Sequence, residues 1–240
     1  MTVPNSSRWG PRGFGVSGWV PLTAGAVLLA GCASIVTGHP VASGPSTVTQ
    51  HVTAQLSTLL PDATQFPVGY EAVVLSSEAA AQAAGDLTGV GRGSTVQPDG
   101  CVPPAQQFGP NQTAVTVGTD NRTRTTMTVE LTRTGQPLSA LREQVKRCQQ
   151  VYVTRAGATT TVTTELQTAP PIDADDTLAL RRTVAPQVSA AGLTQSMQTL
   201  TGQVADVRIT VTYMTFSDRT PDTAALDELF TTAVGKVKKG

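Results

Sequence analysis

Residues 207–216 read VRITVTYMTF. Val207, Ile209, Val211 and Tyr213 are apolar, and Arg208, Thr210 and Thr212 stand between them. A period of two over this length is the mark of a half-buried strand. Working back along the chain, 160–166 (TTVTTEL) and 176–184 (DTLALRRTV) alternate in the same way. Earlier still, 113–118 (TAVTVG) and 123–133 (TRTTMTVELTR) read as two strands joined by a hairpin-like turn at 119–122. Met127, Val129 and Leu131 alternate with polar residues, so this sheet is expected to have one wet face. With the short run 71–76 (EAVVLS), the count comes to about six strands.

Four helices are expected between and around them. The clearest closes the chain: Thr220 can cap it, Pro221 suits the first turn, and Asp222 complements the positive helix end. Leu226, Leu229, Phe230, Ala233, Val234 and Val237 fall on one face, and Lys236, Lys238 and Lys239 sit at the negative end. A second helix spans 137–150, with Leu138, Leu141, Val145 and Cys148 on one side. A third, Ala-rich, covers 78–84 after a cap at Ser76 or Ser77. A fourth spans 46–60, where Val48, Val52, Leu56, Leu59 and Leu60 keep helical spacing and Pro61 stops the run; His51 lies beside that stripe as a surface residue. The stretch 187–202 carries no clear period and reads as a loop or a ragged helix. This order of elements implies an α+β domain: an antiparallel sheet of about six strands with helices packed mainly on one face.

The N-terminus is an address. Arg8 and Arg12 precede a short apolar stretch, 19–30, interrupted by Pro21 and Gly25. It is too short for a comfortable membrane span and has the three-part form of a secretory signal. Leu29-Ala30-Gly31-Cys32 closes it and resembles the lipobox of bacterial lipoproteins, in which the cysteine thiol receives a diacylglyceryl group and the chain is cut before it. The competing reading is an ordinary secretory signal with a chance cysteine. On the lipobox reading, 1–31 is the signal peptide, Cys32 is the lipidation site (diacylglycerol on the thiol, palmitate-type acylation on the new amine), and 32–45 is a Gly/Pro-rich tether containing His39. Residues 46–240 then form one domain on the extracytoplasmic face of the cell membrane. Two acyl chains are enough for stable anchoring where one is not.

Composition narrows the chemistry. The chain has 240 residues, of which 39% are hydrophobic and only 4% aromatic; 17 Lys and Arg balance 17 Asp and Glu. Losing Arg8 and Arg12 from those 17 basic residues leaves 15 against 17 acidic ones, a net charge of −2. Nothing here offers the basic footprint that a nucleic acid needs. Two histidines leave metal and His-based catalysis short of residues, so no metal and no cofactor are expected. The run 89–93 (GVGRG) fits neither GxGxxG nor GxxxxGK[ST], and 173–176 (DADD) lacks the Gly and distal Glu of a calcium loop. Once Cys32 is set aside, Cys101 and Cys148 remain. Outside the cytoplasm such a pair forms a disulfide. A catalytic thiol, the alternative, would need a base nearby, and both histidines lie near the N-terminus.

The Cys101 position, the 145–148 helix end (VKRC), 177–182 (TLALRR), 207–216 and the 226–237 helix together resemble the PknH-like extracellular sensor domains of mycobacteria and the related mycobacterial lipoproteins. The resemblance spans roughly 46–239. It implies a sensor-like domain with a cleft for an unidentified ligand. This chain departs from the pattern in lacking a second cysteine pair, and a lipid takes the place of the transmembrane anchor and kinase.

Three functions follow as expectations. The first is a non-enzymatic ligand-binding or sensor-like lipoprotein of the envelope, with Arg181 or Arg182 reaching an anionic or polar group; adjacent on a strand, they face opposite ways. The second is a structural or partner-binding lipoprotein, its partner an envelope lipid, glycan or protein. The third is an envelope lipid or glycan hydrolase, which would need two carboxylates among residues such as Glu130, Glu165 and Asp206 held at a defined separation. No GxSxG or HExxH motif supports it.

Overall fold

The computed structural model describes residues 48–188, 192–217 and 220–240. The expected signal peptide (1–31) and the expected tether (32–45), Cys32 included, lie outside the described residues. The alternation at 207–216 becomes strand β9, Val207–Thr215, an interior strand of one antiparallel sheet. The other strands are β1 (Glu71–Val74), β2 (Thr95–Gln97), β3 (Thr113–Asp120), β4 (Thr125–Arg133), β5 (Gln150–Arg155), β6 (Ala158–Gln167), β7 (Asp176–Pro186) and β8 (Gln195–Val204). Their order across the sheet is β1-β3-β4-β9-β8-β7-β6-β5-β2. Four α-helices are described: α1 (Leu56–Leu59), α2 (Ser77–Thr88), α3 (Leu138–Arg147) and α4 (Thr223–Lys239).

Nine strands, not about six, is the first correction. The three unforeseen ones are β2, β5 and β8. β8 escaped because it offers little hydrocarbon to either face. Leu200 and Met197 are its only large apolar residues, and Gly202 occupies a position where a side chain is expected. The packing explains that glycine: a Cβ there would stand 3.1 Å from Cζ of Phe230, whose ring fills the place. β5 begins where the second helix was expected to end. It pairs with β6 through a two-residue turn, Ala156-Gly157, with positive φ at both positions (48° and 82°). That is the geometry of a tight primed hairpin turn, for which Asn-Gly is the usual signal; Ala-Gly hides it.

The second correction concerns the helices, which cover both faces rather than mainly one. Directly opposed residues in antiparallel strands share a face. Val211 opposes Val129 and Leu200, and Ile209 opposes Leu131 and Gly202. This hydrocarbon face is covered by α4 through Leu226, Leu229, Phe230, Ala233, Val234 and Val237, all buried, as the helical spacing required. On the reverse face Thr212 opposes Thr128 and Thr199, and Thr210 opposes Glu130 and Thr201. Here α3 packs Leu138 and Val145 against Leu178 and Leu180 of β7.

The third correction is the 46–60 helix. Only Leu56–Leu59 is α-helical. Upstream, the backbone is claimed by other elements: Val48 N–H donates to Gly135 O at 3.2 Å, Val52 N–H to Asp206 Oδ1 at 2.8 Å, and Ala54 O accepts from Arg133 Nη2 at 2.8 Å. Asp206, in the β8–β9 turn, also takes Arg133 Nη1 at 2.9 Å and bonds to His51. Burial pushes its carboxyl up, but the Val52 N–H, Arg133 and His51 together hold it below the usual range. At the other end of the chain Asp222, not Thr220, caps α4, accepting from Ala225 N–H at 3.0 Å.

Phe230 is fully buried and fills the gap above Gly202. Phe230→Ala is therefore expected to cost about 3–5 kcal/mol of stability, read as a lower urea midpoint with an unchanged slope.

Candidate functional site

The threonine face is only partly roofed. α2 and α3 stand over it, and the chain after β2, tied to the end of α3 by the disulfide, adds to the wall. Cys101 and Cys148 are bonded at an S–S distance of 2.02 Å with Cα atoms 5.6 Å apart. Cys148 caps the end of α3, so the bridge ties the 101–106 segment to that helix. Beneath lies a cavity of about 200 Å³. Its walls are aliphatic: Leu87 from α2, Leu141 and Val145 from α3, Val151 and Val162 from the sheet, and Pro103 and Pro104 after the bridge. Its floor is Thr199, Thr201, Thr210 and Thr212. Thr199 and Thr212 satisfy each other, Oγ1 to Oγ1, at 3.0 Å.

Gly89 shapes the α2 wall. It ends the helix in the left-handed region at φ 72°, and a Cβ there would come within 2.9 Å of methyls of both Val162 and Val184. The run 89–93 thus begins with a helix stop at Gly89 that is pressed on the sheet.

Three charged side chains line the cleft: Glu130, Arg208 and Arg182. Glu130 on β4 accepts from Gln106 Nε2 at 3.0 Å and from Thr132 Oγ1 at 3.2 Å. Burial pushes its carboxyl above the ordinary 4.5, against those two bonds and the Arg208 charge. Arg208 donates through Nη2 to Gln136 O at 3.0 Å, while its buried Nε has no hydrogen-bond partner. Burial lowers its pKa, and Glu130 acts the other way. Arg182 stands at the far end. Its Nε donates to Thr164 Oγ1 at 3.1 Å and its Nη1 to the Leu87 carbonyl. Enough protein surrounds the guanidinium that burial brings its pKa down to about 10.

The sequence candidates separate cleanly. Arg182 lines the cleft; Arg181 is exposed on the opposite face, across from Glu165 and Gln198. Of the carboxylates weighed for hydrolysis, Glu130 is in the cleft, Glu165 is with Arg181 on the face away from it and Asp206 is in the β8–β9 turn, so no two meet. The 173–176 acids are spent locally: Asp173 on Lys238, Asp175 on the Ala205 N–H, and Asp176 on Arg142. Among the described residues no cluster of three or more His, Cys, Asp or Glu could hold a metal ion. Sequence reasoning passed over Arg208, Gln106 and the four floor threonines. The alternation of β9 showed that Arg208, Thr210 and Thr212 share a face, but not that helices would roof it.

No family model matches the chain, and no curated protein matches it. Two solved mycobacterial structures are similar to it. One is the extracellular domain of PknH from Mycobacterium tuberculosis, at 13% identity and a TM-score of 0.49, over 79% of this chain and 99% of that one. The other is an uncharacterised protein from Mycobacterium smegmatis, at 18% identity and a TM-score of 0.43, over 73% of this chain and 92% of that one. Neither likeness assigns a function to the cleft.

Two outcomes test the site's construction. Replacing both Cys101 and Cys148 by Ser removes a loop constraint across 47 residues and should cost about 4 kcal/mol, read by urea unfolding. Glu130 holds its proton more tightly in the folded state than in the unfolded one. Its contribution is thus complete below about pH 4.5 and is lost as pH rises through the folded pKa. Glu130→Gln cannot ionise, so its Tm should vary less between pH 4.5 and neutrality and should equal or exceed the wild-type Tm at pH 7. A variant that loses as much Tm at pH 7 as at pH 4 would contradict this.

Proposed function

We propose that the chain is a lipid-anchored lipoprotein of an actinobacterial cell envelope, mycobacterial in type, whose extracytoplasmic domain binds a ligand in the threonine-floored cleft and acts as a sensor-like module without catalysis. The carrying observation is the cleft itself: aliphatic walls, a threonine floor on which Thr199 and Thr212 satisfy each other, and charged groups at its ends, with no second carboxylate beside Glu130 among the described residues. A mostly apolar concavity with a few placed polar groups is the usual form of a small-molecule site. The disulfide fits an oxidising compartment, and the signal ending at Cys32 supplies both export and anchor.

A partner-binding role is the second reading, favoured by one feature. β1 is an outer strand of the sheet, and Val73 and Val74 on it are more than half exposed. An open apolar edge can accept another strand.

Cys32→Ala should move the protein from the membrane to the soluble extracytoplasmic fraction; an equally membrane-bound variant would refute lipidation at Cys32. For the cleft, native mass spectra of the full chain, gently purified from its own envelope, should carry a reproducible added non-covalent mass. That mass should disappear when the cleft is blocked by Thr201→Trp. An added mass that survives the block places the ligand elsewhere, and a clean apo mass favours the partner reading.

A further inference from the structure

The cleft carries one positive charge more than it can balance. Arg208 has Glu130 near it, on adjacent strands, and the two act on each other's ionisation. Arg182 has no such counterpart. Both groups it bonds, the Thr164 hydroxyl and the Leu87 carbonyl, are neutral, and among the described residues no carboxylate forms an ion pair with it. Glu130 lies three strands across and four residues along the sheet, about 20 Å away by strand geometry. Leu87 is in the last turn of α2, so the helix end offers Arg182 roughly half a negative charge. The remainder is unmet, and an uncompensated cation in an apolar setting is costly to keep.

The walls define the rest of the ligand. Among the described residues no aromatic side chain lines the cleft, so a sugar ring would find no face to stack on. Leu87, Val151, Val162 and Leu180 instead present aliphatic surface beside Arg182. The two bonds made by Nε and Nη1 hold the guanidinium in place. A fixed guanidinium is suited to a carboxylate or phosphate oxygen.

Resting on the ligand-binding reading above, we infer that the cleft takes an aliphatic chain with a single anionic head group, the head meeting Arg182 and the chain lying along the aliphatic walls. The head is a carboxylate or a phosphate, as in a fatty acid or an alkyl phosphate. Arg182 sets the preference for charge; the walls set the preference for hydrocarbon.

The test uses the lipidated full chain in nanodiscs of zwitterionic lipid, with equilibrium dialysis of octanoate, octyl phosphate and 1-octanol. Binding is read as the excess over empty discs, so that partition into lipid cancels. The wild type should bind one or both anions at least about tenfold more tightly than 1-octanol, the scale expected for a charge-assisted hydrogen bond. Whichever anion binds more tightly identifies the head. Arg182→Met should bind 1-octanol as the wild type does and lose the preference for the anions. Arg182→Met removes a lone buried charge, so it should fold with a Tm no lower than the wild type's. Arg182→Lys should keep the preference in part, and it stands in should the methionine variant not fold. Equal binding of octanol and the anions, or an anion preference that survives in Arg182→Met, overturns the inference. No binding of any of the three also overturns it. In that case a cleft-dependent mass in the native spectra would leave the ligand-binding reading standing with another class of ligand.

Discussion

The two-residue alternation through β9 and its neighbours is the constraint on which the rest of the molecule depends. Val207, Ile209, Val211 and Tyr213 are all buried, and Met127, Val129 and Leu131 of β4 lie level with them. That surface cannot remain in water, and only an element with an equally broad apolar stripe can cover it. α4 supplies the stripe, and its Phe230 ring fits against the sheet because Gly202 leaves room for it. One face of the sheet is thereby closed. The same alternation forces Thr199, Thr201, Thr210 and Thr212 to the reverse face, where they cannot form a hydrocarbon core. The smaller helices α2 and α3 reach the sheet mainly beyond these threonines, at β3 and at β6 and β7. The uncovered strip between them is the cleft, so it results from the strand pattern rather than from a gap in the packing.

The charges follow the same geometry. Glu130, Arg208 and Arg182 all occupy strand positions that face the threonine side. Each sits where burial works against its charged form, and each is held by neutral hydrogen-bonding groups. Hydrophobic replacements at such positions often raise stability. The Asp206 cluster is the contrast. There the Val52 N–H, Arg133 and His51 converge on one carboxylate and fasten the segment before α1 to the β8–β9 turn, and that carboxylate's pKa falls rather than rises. One set of charges secures the fold, while the other leaves charge unbalanced in the cleft.

Legibility in the sequence tracked how much of each element's pattern was its own. α4 and β9 carry complete apolar stripes and were read as they stand. The β3–β4 hairpin was also legible, although its turn lies a little later than expected, with Asp120 receiving the Arg122 and Thr123 N–H groups. The Cys101–Cys148 bridge followed from counting, and the structure forms it. β8 was not legible because its place in the sheet is fixed by neighbours: β7 and β9 give it both ladders, and Phe230 stands in for the side chain that Gly202 lacks. The 46–60 run failed in the opposite way. Its spacing is helical, but Gly135, Asp206 and Arg133 satisfy its backbone from outside. The placement of helices on both faces could not be read locally, since no single segment states which side of the sheet it will cover.

The floor of the cleft bears on what can occupy it. A threonine presents either a hydroxyl or a methyl to its surroundings. Thr199 and Thr212 are buried and direct their hydroxyls at each other. A ligand lying over this pair therefore need not replace a hydrogen bond to water, and an aliphatic chain can pass without leaving a polar group stranded. A heavily hydroxylated ligand gains least on the same surface, because its own hydroxyls would give up water for partners already engaged with one another. Polar recognition is thus displaced to the two ends, where Arg182 lacks a counter-charge on one side and the Arg208 Nε has no hydrogen-bond partner on the other. A site with a neutral threonine middle and charged ends selects by length and by terminal group, which is the form of selectivity suited to a chain-like ligand.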